Sequence, residues 1–105
     1  MTTAHTSAQA AAAIKPSAPS LRRQVCQYIA DQGARGATDE EVQKGLAMNP
    51  STERPRRGEA WGYGQITNTL GEVRKTASGR NAVVWHITAL GSFALGMPVE
   101  SWSAG

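Results

Sequence analysis

Apolar residues recur at helical spacing in the first half of the chain and at strand spacing in the second. From Ser20, the positions Leu21, Val25, Tyr28 and Ile29 fall at intervals of four, three and one, which sets them on one side of a helix. Ser20 is the expected N-cap and Gly33 the expected stop. Arg22 and Arg23 in the first turn oppose the helix dipole, so packing must hold this helix. Residues 34–37 form a short connector or a minimal strand. Thr38-Asp39-Glu40-Glu41 then reads as a capping box: the Thr38 hydroxyl accepts from the Glu41 amide, and the Glu41 carboxylate reaches back. Val42 and Leu46 give this second helix an inward face, and its acidic first turn suits the positive helix end.

Pro50 forces Asn49 out of the α region and ends helix two. A third helix is expected from Glu53 to about Trp61, starting near Ser51 or Thr52, which would put Pro55 in the first turn, where a missing amide costs little. Gly62 and Gly64 close it. The remainder predicts a β-hairpin, with a first strand from Gln65 to about Thr69 and a polar excursion through Gly71 to Arg80. In the second strand, Asn81 to Thr88, Val83, Trp85 and Ile87 alternate with Val84, His86 and Thr88, which is strand period. Ser78-Gly79-Arg80 is the expected tip. Trp61 and Trp85 fall at inward phases and are expected in the core, with Cys26 as a packed thiol and His86 on a strand surface.

Three segments follow: an Ala-rich tail over residues 1–19, too poor in large apolar side chains to offset its ordering entropy, a domain over 20–88, and an apolar C-terminal segment over 89–105. That last segment holds Leu90, Phe93, Leu95, Met97 and Trp102 without a clean period; it is expected to dock, to dimerise or to stay loose. The tail lacks the pattern of a secretory or organelle signal, and no stretch reaches the ~20 apolar residues of a membrane span. One cysteine excludes an internal disulfide, and with His5 and His86 as the only histidines no metal-ligand spacing arises. The expected setting is cytoplasmic, without cofactor or metal. No nucleophile–base pair, phosphate loop or carboxylate cluster suggests an enzyme.

Charge is distributed unevenly. Between Ser20 and Glu53, Arg22, Arg23, Arg35 and Lys44 face Asp31, Asp39, Glu40, Glu41 and Glu53, a balance of −1. Between Arg54 and Arg80, Arg54, Arg56, Arg57, Arg74, Lys75 and Arg80 face only Glu59 and Glu72, a balance of +4. A positive field concentrated in one half suits a phosphate-binding face.

The order helix, connector, helix, helix, hairpin is joined by Thr38-Asp39-Glu40-Glu41-Val42, Ser51-Thr52, Arg54-Pro55-Arg56-Arg57-Gly58-Glu59, and Ser78-Gly79-Arg80 ahead of the Trp85 strand. Together they resemble the small winged helix-turn-helix proteins of bacteria and bacteriophages over about Ser20 to Thr88. The resemblance implies an α+β fold, with helix three in the major groove of double-stranded DNA and the hairpin wing on the backbone. Ser51, Thr52, Arg54, Arg56 and Arg57 are then the recognition-helix residues, and Arg74, Lys75, Ser78 and Arg80 the wing residues. Arginines near such a helix start can bind guanine bidentately, and first-turn amides suit a phosphate.

The expected function is that of a transcriptional or accessory regulator in a bacterial or phage-infected cell, with a homodimer through the C-terminal segment as a further expectation. A plainer reading pairs Arg56 and Arg57 with Glu53 and Glu59 on the helix surface and uses the wing cations to protect a hairpin edge. The rival function is a winged-helix protein-interaction module, an adaptor in a phage or defence assembly. Helix three also departs from the pattern by offering Glu53 and Ala60, not large apolar residues, to the core.

Overall fold

The computed structural model describes residues 17–97, an α+β arrangement of four α-helices and short antiparallel strand pairs. The tail up to residue 16 and residues 98–105, including Trp102, lie outside the described part. Helix α1 spans Ala18–Asp31 and starts earlier than its apolar spacing suggests, because Ser17, not Ser20, is the cap and accepts from the Ser20 amide at 3.2 Å. Pro19 sits in the first turn, where it is tolerated. Val25, Cys26, Ile29 and Ala30 form the buried face, while Leu21 and Tyr28 are half-buried at its margins. Gln32 caps the C-terminus, and Gly33 takes φ +60° to begin a 3₁₀ turn, Gly33–Arg35.

Helix α2, Asp39–Leu46, carries the expected capping box, with Glu41 N to Thr38 Oγ1 at 3.2 Å and Thr38 N to Glu41 Oε1 at 3.1 Å. It ends at Ala47 in a left-handed conformation, φ +52°. Gly45 lies against the Tyr28 ring, so α1 and α2 approach more closely there than a side chain would permit. Helix α3, Pro50–Gly62, begins earlier than expected: Asn49 is extended and its side chain accepts from Thr52 N at 3.0 Å. Pro55 therefore lies beyond the first turn, inside the helix, where its ring removes a main-chain bond to the Ser51 carbonyl.

The expected two-strand hairpin is split into two ladders. Strands β1 (Ile66–Thr67) and β4 (His86–Ile87) pair Ile66 with Ile87 and Thr67 with His86. Strands β2 (Val73–Lys75) and β3 (Asn81–Val83) pair Val73 with Val83, Arg74 with Ala82 and Lys75 with Asn81. The long second strand breaks because Trp85 turns to a different neighbour, exchanging two main-chain bonds with Ala37 at 2.8 and 2.9 Å. Of the connector 34–37, only Ala37 pairs, in a single bridge that follows the 3₁₀ turn. Gly36 makes this possible: at φ +62°, a Cβ there would stand 2.5 Å from the Trp85 carbonyl oxygen and 2.7 Å from the His86 ring. A short helix α4, Ala89–Ala94, is capped by Thr88 and docks through Leu95. Arg23 fastens its end to α1 by donating to the carbonyls of Ala94 and Leu95.

The core joins Val25, Ile29, Val42, Ile66, Trp85, Ile87 and Leu95; each large aliphatic side chain fully withdrawn from water contributes about 1.5–3 kcal/mol. Cys26 is packed as expected, and burial pushes its thiol up to about 11 against the lowering influence of Arg22 and Arg23. Two expectations of burial are reversed. Trp61 is 51% exposed and lies edge-on to Trp85 with ring centroids 5.3 Å apart, so it covers the core from outside. His86 is only 9% exposed, and its Nε2 meets Glu72 Oε1 at 3.0 Å, because the change of partner at Trp85 turns several consecutive side chains inward. No helix among the described residues is long and apolar enough to cross a membrane.

Candidate nucleic-acid interface

Helix α3 packs mainly on α1, and its inward stripe is Glu53, Arg56, Arg57 and Ala60. These positions are three, four and seven residues apart, the spacing of one helix face. Two of the arginines expected to point at DNA are therefore committed to the protein. Arg57 forks onto Asp39 of α2, Nε to Oδ1 at 3.0 Å and NH2 to Oδ2 at 2.8 Å, and its guanidinium lies 4.8 Å from the centre of the Trp85 ring. A planar fork stacked on an indole is a geometry that lysine cannot supply. Arg56 pairs with Glu59 at 2.9 Å, as the plainer reading anticipated, and Arg22 of α1 holds the same carboxylate at 3.0 Å. Arg22 also covers the Tyr63 ring.

Glu53 is fully buried and pairs with neither arginine through a salt bridge. Its Oε1 accepts from Gln43 Nε2 at 2.9 Å, while Oε2 has no hydrogen-bond partner among the described residues. Burial pushes its carboxyl up to about 8; the Gln43 hydrogen bond works the other way, the neighbouring Asp39 carboxylate raises it further, and Arg57 tempers it.

The hairpin is tied to α2 by a second arginine. Arg74 donates Nε to Glu41 Oε2 at 3.0 Å and NH2 to Glu41 Oε1 at 2.9 Å, and also reaches the carbonyls of Arg35 and Gly36. Partial burial works to raise the Glu41 carboxyl, but the Arg74 hydrogen bond, the Thr38 amide and the charges of Arg74 and Arg35 hold it below the ordinary carboxylate range. Glu40 meets the tip, accepting from the Ala77 amide at 2.9 Å and from Ser78 Oγ at 3.4 Å. The acidic first turn of α2 thus fastens α3, the hairpin tip and β2 with three successive residues, a role the charge pattern of α2 alone did not disclose.

Of the basic residues between Arg54 and Arg80, Arg54, Lys75 and Arg80 are left without a side-chain partner among the described residues, as is Lys44 on α2. The first three are all exposed. Arg54 and Arg80 line a groove of about 540 Å³ between α3 and the hairpin, with Pro50, Gln43, Thr76 and Ser78 on its walls. Lys75 stands across the β2–β3 ladder from Asn81, which also lines it. Ser51 and Thr52 lie at the helix start as expected, but their groups are engaged by the cap: Ser51 Oγ donates to Asn49 Oδ1 at 2.8 Å, and Asn49 holds the Thr52 amide. Of the nine expected contact residues, the groove gathers Arg54, Arg57, Ser78 and Arg80; Arg56 and Arg74 are held in ion pairs and do not line it.

No family model, curated protein or solved structure matches this chain.

Proposed function

We propose that the chain is a winged helix-turn-helix that binds double-stranded DNA, with α3 in the major groove and the β2–β3 hairpin as the wing on the backbone. The observation that carries this reading is the division among the basic residues between Arg54 and Arg80. Arg56, Arg57 and Arg74 are neutralised by Glu59, Asp39 and Glu41, whereas Arg54, Lys75 and Arg80 have no carboxylate among the described residues, and Arg54 and Arg80 line one groove. Unpaired cations on two elements, held at fixed separation by paired ones, are what a phosphate backbone requires. Base reading falls to Arg54, which is exposed in the second turn of the helix; Arg56 and Arg57 position it.

The protein then acts by occupancy as a transcriptional or accessory regulator in the cytoplasm of a bacterial or phage-infected cell. A module of this size buries about 600–1,000 Å² on DNA, so pairing of two copies through α4, where Leu90 and Phe93 are exposed, would raise affinity. The second reading is an adaptor in which the same arginine face, with Arg54 and Arg80 free of carboxylates among the described residues, meets an acidic protein surface.

Selection from a random-duplex library tests the proposal. An enriched motif lost in Arg54→Ala supports it, and three phosphate contacts give a slope of log K on log salt near about −2.7. Weak recovery independent of sequence, with no change in Arg54→Ala, removes base reading and favours the adaptor.

A further inference from the structure

The hairpin tip already holds an anion. The Ala77 amide and the Ser78 hydroxyl grip the two oxygens of the Glu40 carboxylate, one each. The turn that presents them is closed independently of Glu40: Thr76 N donates to the Arg80 carbonyl at 2.8 Å, and Gly79 N to the Thr76 carbonyl at 2.9 Å, with Gly79 at φ +86°. Thr76 Oγ1 lies 2.7 Å from Ser78 Oγ and accepts from the Arg80 amide at 3.3 Å. Arg80, without a carboxylate of its own among the described residues, lines the same groove as Ser78 and Glu40.

A main-chain amide, a hydroxyl and a free guanidinium are the donors that recognise a phosphate oxygen. Here the amide and the hydroxyl face a carboxylate tethered to the same chain, and the guanidinium lines the groove beside them. Glu40 is not needed to hold the hairpin down, because Arg74 fastens β2 to Glu41 and to two carbonyls next to it. The Glu40 contacts are exposed single hydrogen bonds at the end of a flexible side chain.

We propose that the tip is a phosphate site, occupied in the free protein by Glu40 as a built-in competitor that a phosphodiester of the DNA backbone displaces. This rests on the DNA-binding reading for its ligand but not for the site itself. Glu40 then lowers affinity for every duplex alike, which weakens binding to bulk DNA while leaving the ratio between target and bulk to the base contacts of Arg54.

The test begins with the full ¹⁵N-labelled chain titrated with inorganic phosphate while the amides of Ala77 and Ser78 are followed by NMR. In Glu40→Ala these amides shift saturably at a phosphate concentration about tenfold lower than in the unaltered chain, the equivalent of one charge-assisted hydrogen bond released from competition. Glu40→Gln, which keeps an oxygen for the Ala77 amide, gives a smaller gain, and adding Ser78→Ala to Glu40→Ala reverses it. Asp31→Asn, which removes an acidic charge from the end of α1, leaves the midpoint where it was. Equal midpoints in Glu40→Ala and the unaltered chain, or an equal gain from Asp31→Asn, overturn the proposal. Random-sequence duplex is the second probe, expected to bind Glu40→Ala more tightly by a similar factor. A phosphate response without duplex binding upholds the site and refutes the DNA reading. Firm duplex binding indifferent to Glu40→Ala refutes the site and leaves the DNA reading standing.

Discussion

Glu53 occupies a place where helix three would ordinarily turn an aliphatic side chain inward, and its carboxyl titrates accordingly. Unfolded, the group has the ordinary value of 4.5; folded, it is pushed up to about 8, first by burial. Between those values the folded chain binds the extra proton, so stability falls as pH rises through this window and levels off above it. Glu53→Gln keeps the size of the side chain without the titration. It is expected to flatten that dependence and, at about pH 9, to exceed the unaltered chain by roughly 2–4 kcal/mol in denaturant melts, with little difference near about pH 5. Equal pH profiles for the two proteins would remove this account. The sequence marks Glu53 as a departure from the fold's pattern, but periodicity cannot tell a buried neutral carboxyl from a solvated one. The same limit explains Trp61 and His86. Helical and strand phase describe one element at a time, whereas exposure depends on which neighbour covers it: Trp61 lies on the outside of Trp85, and His86 is enclosed when the strand changes partner at Ala37.

At the scale of elements, α3 separates its arginines by duty, which variants can expose. Arg57→Ala leaves Asp39 without its fork and uncovers a face of Trp85, with an expected loss of about 3 kcal/mol in chemical denaturation. Arg54→Ala and Arg80→Ala are expected to leave stability within about 0.5 kcal/mol while weakening duplex binding; a destabilisation comparable to that of Arg57→Ala would place them in the scaffold. Helix backbones offer a complementary pair of changes. Gly58 lies within α3 with open space where a Cβ would stand, so Gly58→Ala should add about 0.5–1 kcal/mol of stability in thermal melts, and Ala47→Gly should do likewise by relieving a left-handed alanine. The legible boundaries are those written in local chemistry. The capping box of α2 and the stop at Gly33 follow from neighbouring residues alone. The starts of α1 and α3 fall elsewhere than expected because Ser17 and Asn49 compete with equally good caps close by, and only the geometry of the finished turn selects between them.

Across the whole molecule, the charge imbalance between the two halves of the chain is used twice: acidic residues from the first half hold basic ones from the second, and the cations left over form the candidate interface. The outline of helices followed by a hairpin was readable from apolar spacing, and so was the basic half. Which arginines stay free was not, since ion pairs such as Asp39–Arg57 and Glu41–Arg74 join residues far apart in the chain. Asp39, Glu40 and Glu41 occupy consecutive positions, and each step along a helix turns the side chain by about 100°. Their carboxylates accordingly fan out in three directions, to α3, to the hairpin tip and to β2. This makes the first turn of α2 a phasing element: one residue inserted or deleted between Asp39 and Glu40 would put Asp39 about 100° out of phase with Glu40 and Glu41, so that the contact to α3 and the contacts to the hairpin could no longer form together, whereas a change of length at the exposed tip disturbs only the tip. A scan of single-residue insertions should therefore find soluble, folded protein after insertion between Ser78 and Gly79 and lose it after insertion between Asp39 and Glu40, so that this turn keeps its length even where its surroundings are free to vary.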